Sequence, residues 1–201
     1  MAHMTDKPYI NNGNIPVYLD KLAEMLLERY KTTVGHIKIL IVGGSALALK
    51  YNFRTTVDID TDIQFRHSLK GSIDNVAKFY NIPTDWINQD FRKSISYSKR
   101  LWDNAVPVSI LRDFMEIYVV SDLDQLCMKI VAGRQKDDRD IVFLTAKLVS
   151  DGCNYDMFVQ RYKYLYSESI VPNKSTLNEV RKMFTSSVYL KTMLFMYRLR
   201  V

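Results

Sequence analysis

Residues 36–65 constrain the fold more than any other part of the sequence, because the residue pattern changes several times within this short stretch. Residues 36–42 are rich in β-branched side chains and end at Gly43-Gly44, which predicts a buried strand entering a tight turn. A helix is predicted to restart at Ser45. Along residues 55–65, polar residues alternate with apolar ones or threonine, which predicts a half-buried strand. A chain with strand, helix and strand in this order indicates a domain that mixes helices with a sheet.

The remaining elements follow from hydrophobic periodicity and from capping signals. Ser121 followed by Asp124 is a capping-box pattern that begins a helix, and Gly133 ends it. A further helix is predicted to end near Leu148, and the residues from 154 onward are predicted to be helices rich in Tyr, Phe and Met. The elements predicted before residue 121 are helices over residues 17–32 and 72–80 and strands over residues 107–111 and 115–120.

Strands come early and are interspersed with helices, whereas helices dominate the end of the chain. The predicted fold class is therefore α+β (mixed α/β), a small mixed sheet flanked by helices with a C-terminal helical extension. Residues 5–150 are predicted to form the sheet-containing domain, and residues 151–201 a helical extension packed on it. Residues 1–4, Met-Ala-His-Met, have the sequence of a cloning remnant and are left out of the functional argument.

Composition narrows the class of protein. Of the 201 residues, 47% are hydrophobic and 25% are charged, which is typical of a folded globular chain. No apolar run is long enough to cross a membrane, and two cysteines are too few for a disulfide scaffold, so a cytoplasmic protein is expected. The net charge of +6 weakly favours nucleotide or nucleic-acid partners.

Two features of residues 40–65 could carry chemistry. Gly43-Gly44-Ser45 lies between a predicted strand and a predicted helix, where backbone N–H groups can bind a phosphate. Asp58 and Asp60 are two residues apart on a predicted strand, so their side chains leave the same face and could share a divalent cation such as Mg²⁺. The alternative is a solvated polar face. Asp62 on the same face makes that alternative less favourable, because stacked like charges repel.

These residues resemble the signature of the nucleotidyltransferase (DNA polymerase β-like) superfamily, with its Gly-Gly/Ser and Asp-x-Asp motifs. The resemblance is closest to the AbiEii-type abortive-infection toxin branch and related small domains. The elements that carry it lie between about residues 38 and 148: residues 43–49, residues 54–60, the Lys-x4-Arg-x-Lys-Asp-type block at residues 129–141, and the short element Trp86-Ile87-Asn88.

The resemblance implies metal-dependent transfer of a nucleoside monophosphate from an NTP to an acceptor hydroxyl. It implies that Gly43, Gly44 and Ser45 hold the β- and γ-phosphates and that Asp58 and Asp60 bind Mg²⁺ or Mn²⁺. The superfamily usually adds a third carboxylate on a neighbouring strand. Glu116 is the candidate and Asp113 a weaker one, although Glu116 could equally be a solvent-facing residue of an edge strand.

The later block adds charged candidates. The resemblance implies that Lys129, Arg134 and Lys136, together with Arg54, contact the nucleotide or an RNA. Lys129 is predicted to lie on the polar, exposed face of its helix. Asp140 could be a functional acid, or simply the partner of Asp137 in a helix cap.

Several functions stay open at this stage. The leading hypothesis is an Mg²⁺-dependent nucleotidyltransferase acting on RNA or tRNA, as the toxin of a toxin–antitoxin or abortive-infection pair with a cognate antitoxin. The alternative is a catalytically inactive relic of the fold that binds nucleotide or RNA, and a third possibility is an aminoglycoside-type enzyme. Basic residues are interleaved with aromatics at residues 91–93 and 97–102, and further basic residues recur along residues 173–201. This pattern suits contact with single-stranded RNA, but a solvated charged face is the favoured interpretation of both regions.

Overall fold

The computed structural model describes residues 10–52, 54–166 and 174–199, and within these ranges it contains a five-stranded mixed sheet and eight α-helices. The predicted mixed α/β class is confirmed. Residues 1–4, the expected cloning remnant, lie outside the described residues. The strands are β1 (Ile37–Ile41), β2 (Ile59–Gln64), β3 (Ile87–Asn88), β4 (Val106–Leu111) and β5 (Met115–Val119). The helices are α1 (Asn14–Tyr30), α2 (Gly43–Tyr51), α3 (Lys70–Tyr80), α4 (Asp122–Ala132), α5 (Asp138–Ser150), α6 (Tyr155–Tyr166), α7 (Lys174–Thr185) and α8 (Ser187–Met196).

Contacts divide the chain into two compact units. The first unit runs to Arg92 and also includes Ala105–Val120, and the second contains Lys93–Asn104 and the chain from Ser121 onward. All five strands, with α1, α2 and α3, belong to the first unit, whereas α4 to α8 belong to the second. The domain boundary expected at residue 150 stays a prediction.

The sheet of the first unit has the strand order β3-β2-β1-β5-β4. β1 pairs antiparallel with β2 and parallel with β5, so the two strands predicted on either side of the Gly-Gly turn are neighbours, as expected. β3 pairs parallel with β2, and β4 pairs antiparallel with β5. β5 is therefore an interior strand, and the alternative that placed Glu116 on an edge strand is wrong.

Hydrophobic spacing explains the core of the first unit. α1 buries Leu19, Leu22 and Leu26, which recur at helical spacing along one face. β1 is buried except for Lys38, as its run of β-branched residues predicts. Trp86 is fully buried, and its indole N–H donates to the carbonyl of Ile73 at 3.2 Å, which fixes the chain just before β3.

The second unit is helical in its described residues, as predicted for the end of the chain. Ser121 caps α4 by accepting a hydrogen bond from the backbone N–H of Asp124 at 3.2 Å, and Gly133 ends that helix with a φ of +60°. Both signals were readable from the sequence. Farther along the chain, the rings of Phe158 and Phe184 stack with centroids 5.9 Å apart.

Candidate nucleotide and metal site

The end of β1 brings Gly43 against the carboxylate of Asp60. The backbone N–H of Val42 donates to the carbonyl of Asp60 at 3.0 Å, so Asp60 lies opposite the last extended residue before the turn. Gly43 then adopts a φ of +66° and begins α2. A Cβ atom at Gly43 would lie 2.9 Å from Oδ2 of Asp60, closer than side-chain contacts allow. The Gly-Gly turn and the Asp-x-Asp motif are therefore adjacent in space.

Gly44 lies beside a guanidinium at the same helix end. A Cβ atom at Gly44 would lie 3.3 Å from Cζ of Arg54. The backbone N–H groups in the first turn of a helix have no carbonyl partners within it, and the helix dipole makes this end positive. An anion bound here would meet both the helix end and the charge of Arg54.

The hydroxyl of Ser45 is used inside this turn. Ser45 is buried, and its Oγ donates to the carbonyl of Val42 at 2.7 Å. The hydroxyl therefore stabilises the turn, and a contact from Ser45 to phosphate would come from its backbone N–H. That contact stays a prediction.

Asp58 comes immediately before β2 and is held from a neighbouring strand. Its Oδ2 accepts a hydrogen bond of 2.9 Å from the side-chain amide of Asn88, the last residue of β3. Sequence reasoning identified the element Trp86-Ile87-Asn88 only as a resemblance. Its contact with Asp58 joins residues 30 positions apart, which no short-range pattern reveals.

Asp62 differs from the expected picture of three mutually repelling aspartates. It is buried, 3% exposed, and Nε of Arg92 donates to its Oδ1 at 2.5 Å. The same guanidinium donates to the carbonyl of Ile63 at 2.9 Å. The negative charge of Asp62 is therefore compensated by its ion pair with Arg92. The expectation that Asp58, Asp60 and Asp62 all repel one another along this strand face is wrong.

Glu116 lies far along the sheet from Asp60. Lys38 of β1 is the register partner of Gln64 on β2 and of Glu116 on β5. Glu116 is therefore level with Gln64, which lies four residues after Asp60 on β2. That offset corresponds to about 13 Å along the strand. Asp113, the weaker candidate, lies in the turn between β4 and β5. No group of three or more His, Cys, Asp or Glu side chains within the described ranges is placed to hold a metal ion.

Glu116 has local partners instead. The Tyr118 hydroxyl donates to its Oε2 at 2.5 Å, and Nζ of Lys38 lies 3.7 Å from the same oxygen. This hydrogen bond, followed by the charge of Lys38, lowers the pKa of Glu116 despite some desolvation. The expected three-carboxylate cluster with Asp58 and Asp60 does not form among the described residues.

The carboxylates of Asp58 and Asp60 suit magnesium or manganese. Asp58 and Asp60 supply only carboxylate oxygens, and Mg²⁺ typically takes one or two carboxylates together with substrate phosphates. The N-terminus of α2, next to Asp60, is suited to those phosphates.

The second unit contains the other predicted site residues, and Lys129 is not where the sequence indicated. It is 3% exposed, and its Nζ donates to Asp137 at 2.8 Å and to Asp140 at 2.6 Å. The expectation that it lies on an exposed helix face is wrong, because the polar side of α4 is covered by the start of α5. Arg134 donates to Asp137 at 2.7 Å, whereas Lys136 is exposed.

The two aspartates are therefore partners of a buried lysine. Asp137 stands at the N-cap position of α5, but its side chain makes no capping hydrogen bond. The interpretation of Asp137 and Asp140 as a simple capping pair is wrong for the same reason. Roles of Lys129, Arg134, Lys136 and Asp140 in nucleotide binding stay predictions.

The ion pairs of Asp137 predict a pH-dependent contribution from Arg134. Burial raises the pKa of Asp137, but the hydrogen bonds and charges of Lys129 and Arg134 outweigh burial and leave that pKa below its ordinary value. A carboxylate with a lowered folded pKa stabilises the fold above its unfolded pKa of about 3.9, and this contribution is lost as the pH falls through the folded value. Arg134→Ala should cost at most about 1 kcal/mol near neutral pH, because Arg134 is half exposed.

This difference between wild type and Arg134→Ala should shrink as the pH falls through the lowered folded pKa of Asp137. Urea unfolding from about pH 3 to pH 7 measures it, with Lys136→Ala as an exposed control that changes little at any pH. A difference that stays constant over the whole acid range in which both proteins remain folded would show that Arg134 does not act through ionised Asp137.

The mixed sheet, the Gly-Gly turn that begins α2 and the Asp60 carboxylate beside that turn have the arrangement that the nucleotidyltransferase resemblance predicts. A family model described as a nucleotidyltransferase of unknown function (DUF6036) matches residues 18–190, and the chain belongs to this family. The match supports the superfamily and does not identify the AbiEii branch. Comparison with curated proteins and with solved structures gives no match. None of the helices in the described ranges is both long and apolar enough to span a membrane.

Proposed function

We propose that this chain transfers a nucleoside monophosphate from a magnesium–NTP complex to an acceptor hydroxyl. One observation carries the proposal: the carboxylate of Asp60 lies against Gly43 at the N-terminus of α2. A carboxylate suited to a divalent cation and a helix end suited to phosphate are then adjacent. Membership of a nucleotidyltransferase family supports the same reaction class.

In this proposal each residue has a limited task. Asp58 and Asp60 hold Mg²⁺ or Mn²⁺, and the first turn of α2 with Arg54 binds the β- and γ-phosphates. Bound magnesium supplies positive charge that stabilises the oxygens of the reacting phosphate. The acceptor oxygen forms a bond to the α-phosphorus while the bond to the bridging oxygen breaks, so that pyrophosphate leaves and the hydroxyl proton passes to solvent. Positioning and charge provide most of the catalysis in such transfers.

We propose RNA, tRNA included, as the acceptor, with a toxin role and a cognate antitoxin as the biological setting. The basic surplus of +6 supports an RNA acceptor, because cations bind the phosphate backbone. The toxin role and the antitoxin rest on the resemblance of the motifs alone.

A labelling experiment tests the reaction. The protein is incubated with each α-labelled NTP, MgCl₂ and total RNA, and label is sought on RNA and on protein. We expect label on RNA from wild type, none without a divalent cation, and none from Asp60→Asn. Label on the protein itself would replace RNA by a protein hydroxyl as the acceptor, and no label with any NTP would contradict transfer.

Binding of nucleotide without transfer is the second candidate function. It is favoured by the position of Glu116, far along the sheet from Asp60, since no third carboxylate joins Asp58 and Asp60 in a metal-binding group among the described residues. This candidate predicts that Mg²⁺–NTP stabilises the protein while no label is transferred to RNA or protein.

A further inference from the structure

Asn88 lies on a strand of only two residues that is fixed from several sides. In the parallel pairing of β2 and β3, Asn88 is the register partner of Asp60, so both side chains lie on the same face of the sheet. The hydroxyl of Thr61 donates to the backbone carbonyl of Asn88 at 2.7 Å. The preceding Trp86 is fully buried. The backbone of Asn88 is therefore held firmly beside the Asp-x-Asp motif.

Two hydrogen bonds of opposite polarity set the orientation of the Asn88 amide. Its Oδ1 accepts from the backbone N–H of Asp90 at 3.0 Å, and its Nδ2 donates to Oδ2 of Asp58 at 2.9 Å. A flipped amide would face donor with donor at Asp90 and acceptor with acceptor at Asp58. The network therefore selects the orientation in which the N–H₂ group points to the carboxylate.

Asp58 and Asp60 are held by different means. Asp60 is part of β2, and its backbone carbonyl accepts from Val42 at 3.0 Å. Asp58 precedes the strand and lies in a bend, so the ladder does not fix it. The backbone of Asp60 is thus held by strand pairing, whereas the carboxylate of Asp58 is held by its hydrogen bond with the Asn88 side chain.

We propose that Asn88 is a positioning residue that orients the Asp58 carboxylate toward the divalent cation. The inference rests on the proposed function, because it needs Asp58 to be a metal ligand. Groups that hydrogen-bond to metal ligands orient them, and their loss typically weakens metal binding about 10–100-fold. An amide suits this role, since it donates to the carboxylate without adding a charge to the site.

The test measures metal binding rather than activity. Thermal melts are recorded at increasing MnCl₂, alone and with a non-hydrolysable analogue of each NTP, and the MnCl₂ concentration at half of the melting shift is compared between variants. Asn88→Ser keeps an acceptor for the Asp90 N–H but is too short to reach Asp58, and Asn88→Ala is the second variant. Gln89→Ala is the matched control. Gln89 follows Asn88 directly and accepts a hydrogen bond of 3.2 Å from the backbone N–H of Ile63 in β2, but it makes no hydrogen bond to Asp58.

We expect Asn88→Ser to need about 10–100 times more MnCl₂ than wild type while its metal-free melting temperature stays close to wild type. Gln89→Ala should lower the metal-free melting temperature and leave the MnCl₂ requirement unchanged. Equal MnCl₂ requirements for wild type and Asn88→Ser would overturn the inference. An equal increase of the MnCl₂ requirement in Asn88→Ser and Gln89→Ala would also overturn it, as would unfolding of both Asn88 variants without metal. A wild type that shows no shift with metal and nucleotide would contradict the proposed function itself, a result distinct from these.

Discussion

Lys129→Ala should lower the free energy of unfolding by about 3–5 kcal/mol, because it leaves two carboxylates buried without their shared cation. Asp137 and Asp140 are each only 2% exposed, so both carboxylates are shielded from bulk water. Arg134 still reaches Asp137, but its half-exposed side chain does not replace the buried ammonium group. A loss of this size is a large part of the total stability of an ordinary domain, about 5–15 kcal/mol. Urea unfolding monitored by circular dichroism measures it.

Two variants separate the loss of the ion pairs from other effects. Lys136→Ala removes a lysine from the neighbouring exposed surface and should change stability by less than about 0.5 kcal/mol. The triple variant Lys129→Met, Asp137→Asn, Asp140→Asn removes all three charges and should recover most of the stability, since an uncharged replacement of a buried ion cluster is often tolerated. If Lys129→Ala unfolds like wild type, Lys129 is free to serve the nucleotide, and its structural role is refuted.

Asp58→Asn and Asp60→Asn should each abolish the stabilisation that Mg²⁺ and NTP give to the wild-type protein. At a hundredfold excess over the dissociation constant this stabilisation is about 2.7 kcal/mol, which corresponds to roughly 5–11 °C in melting temperature for a chain of this size. Without ligand, each variant should be as stable as wild type or slightly more stable, because one of two neighbouring like charges is gone. Thermal melts with and without Mg²⁺–NTP measure both effects.

Asp62→Asn is the matched control for this experiment. It changes the next aspartate on the same strand face, but that aspartate is buried and paired with Arg92. We expect a lower melting temperature without ligand and an undiminished gain with ligand. If Asp58→Asn or Asp60→Asn instead unfolds without ligand, these carboxylates are structural and the metal site is disproved.

Local signals predicted the elements that surround the site. The β-branched run before Gly43 gave β1, and the period of two gave β2, although the strand begins only at Ile59. Both patterns indicate which side chains of a strand are buried, and they can be recognised from residues that are close together in the sequence. The adjacency of Gly43 and Asp60 followed because strands that are consecutive in the sequence usually lie side by side, and only α2 separates β1 from β2.

Contacts between distant segments could not be predicted in this way. Asp62 looked exposed because its partner, Arg92, lies 30 residues later. Lys129 looked exposed because it lies on the polar side of α4, and periodicity does not reveal that a later helix brings Asp137 and Asp140 over that side. Glu116 has the expected apolar neighbours, but register between β1 and β5 decides its level in the sheet, and register depends on the whole fold.

Two independent constraints act at Gly43, one from its backbone conformation and one from the neighbouring carboxylate, and they restrict substitution at this position in different ways. The φ of +66° disfavours most side chains whatever surrounds the turn, whereas the 2.9 Å approach of Oδ2 of Asp60 means that a Cβ at position 43 would force that carboxylate to shift. A descendant that loses the acid at position 60 is released from the second constraint alone. The residues then expected at position 43 are Asn and Asp, which tolerate the left-handed region best after glycine. Glycine at 43 is thus coupled to the acid at 60, and its replacement would mark a lineage in which the site has decayed.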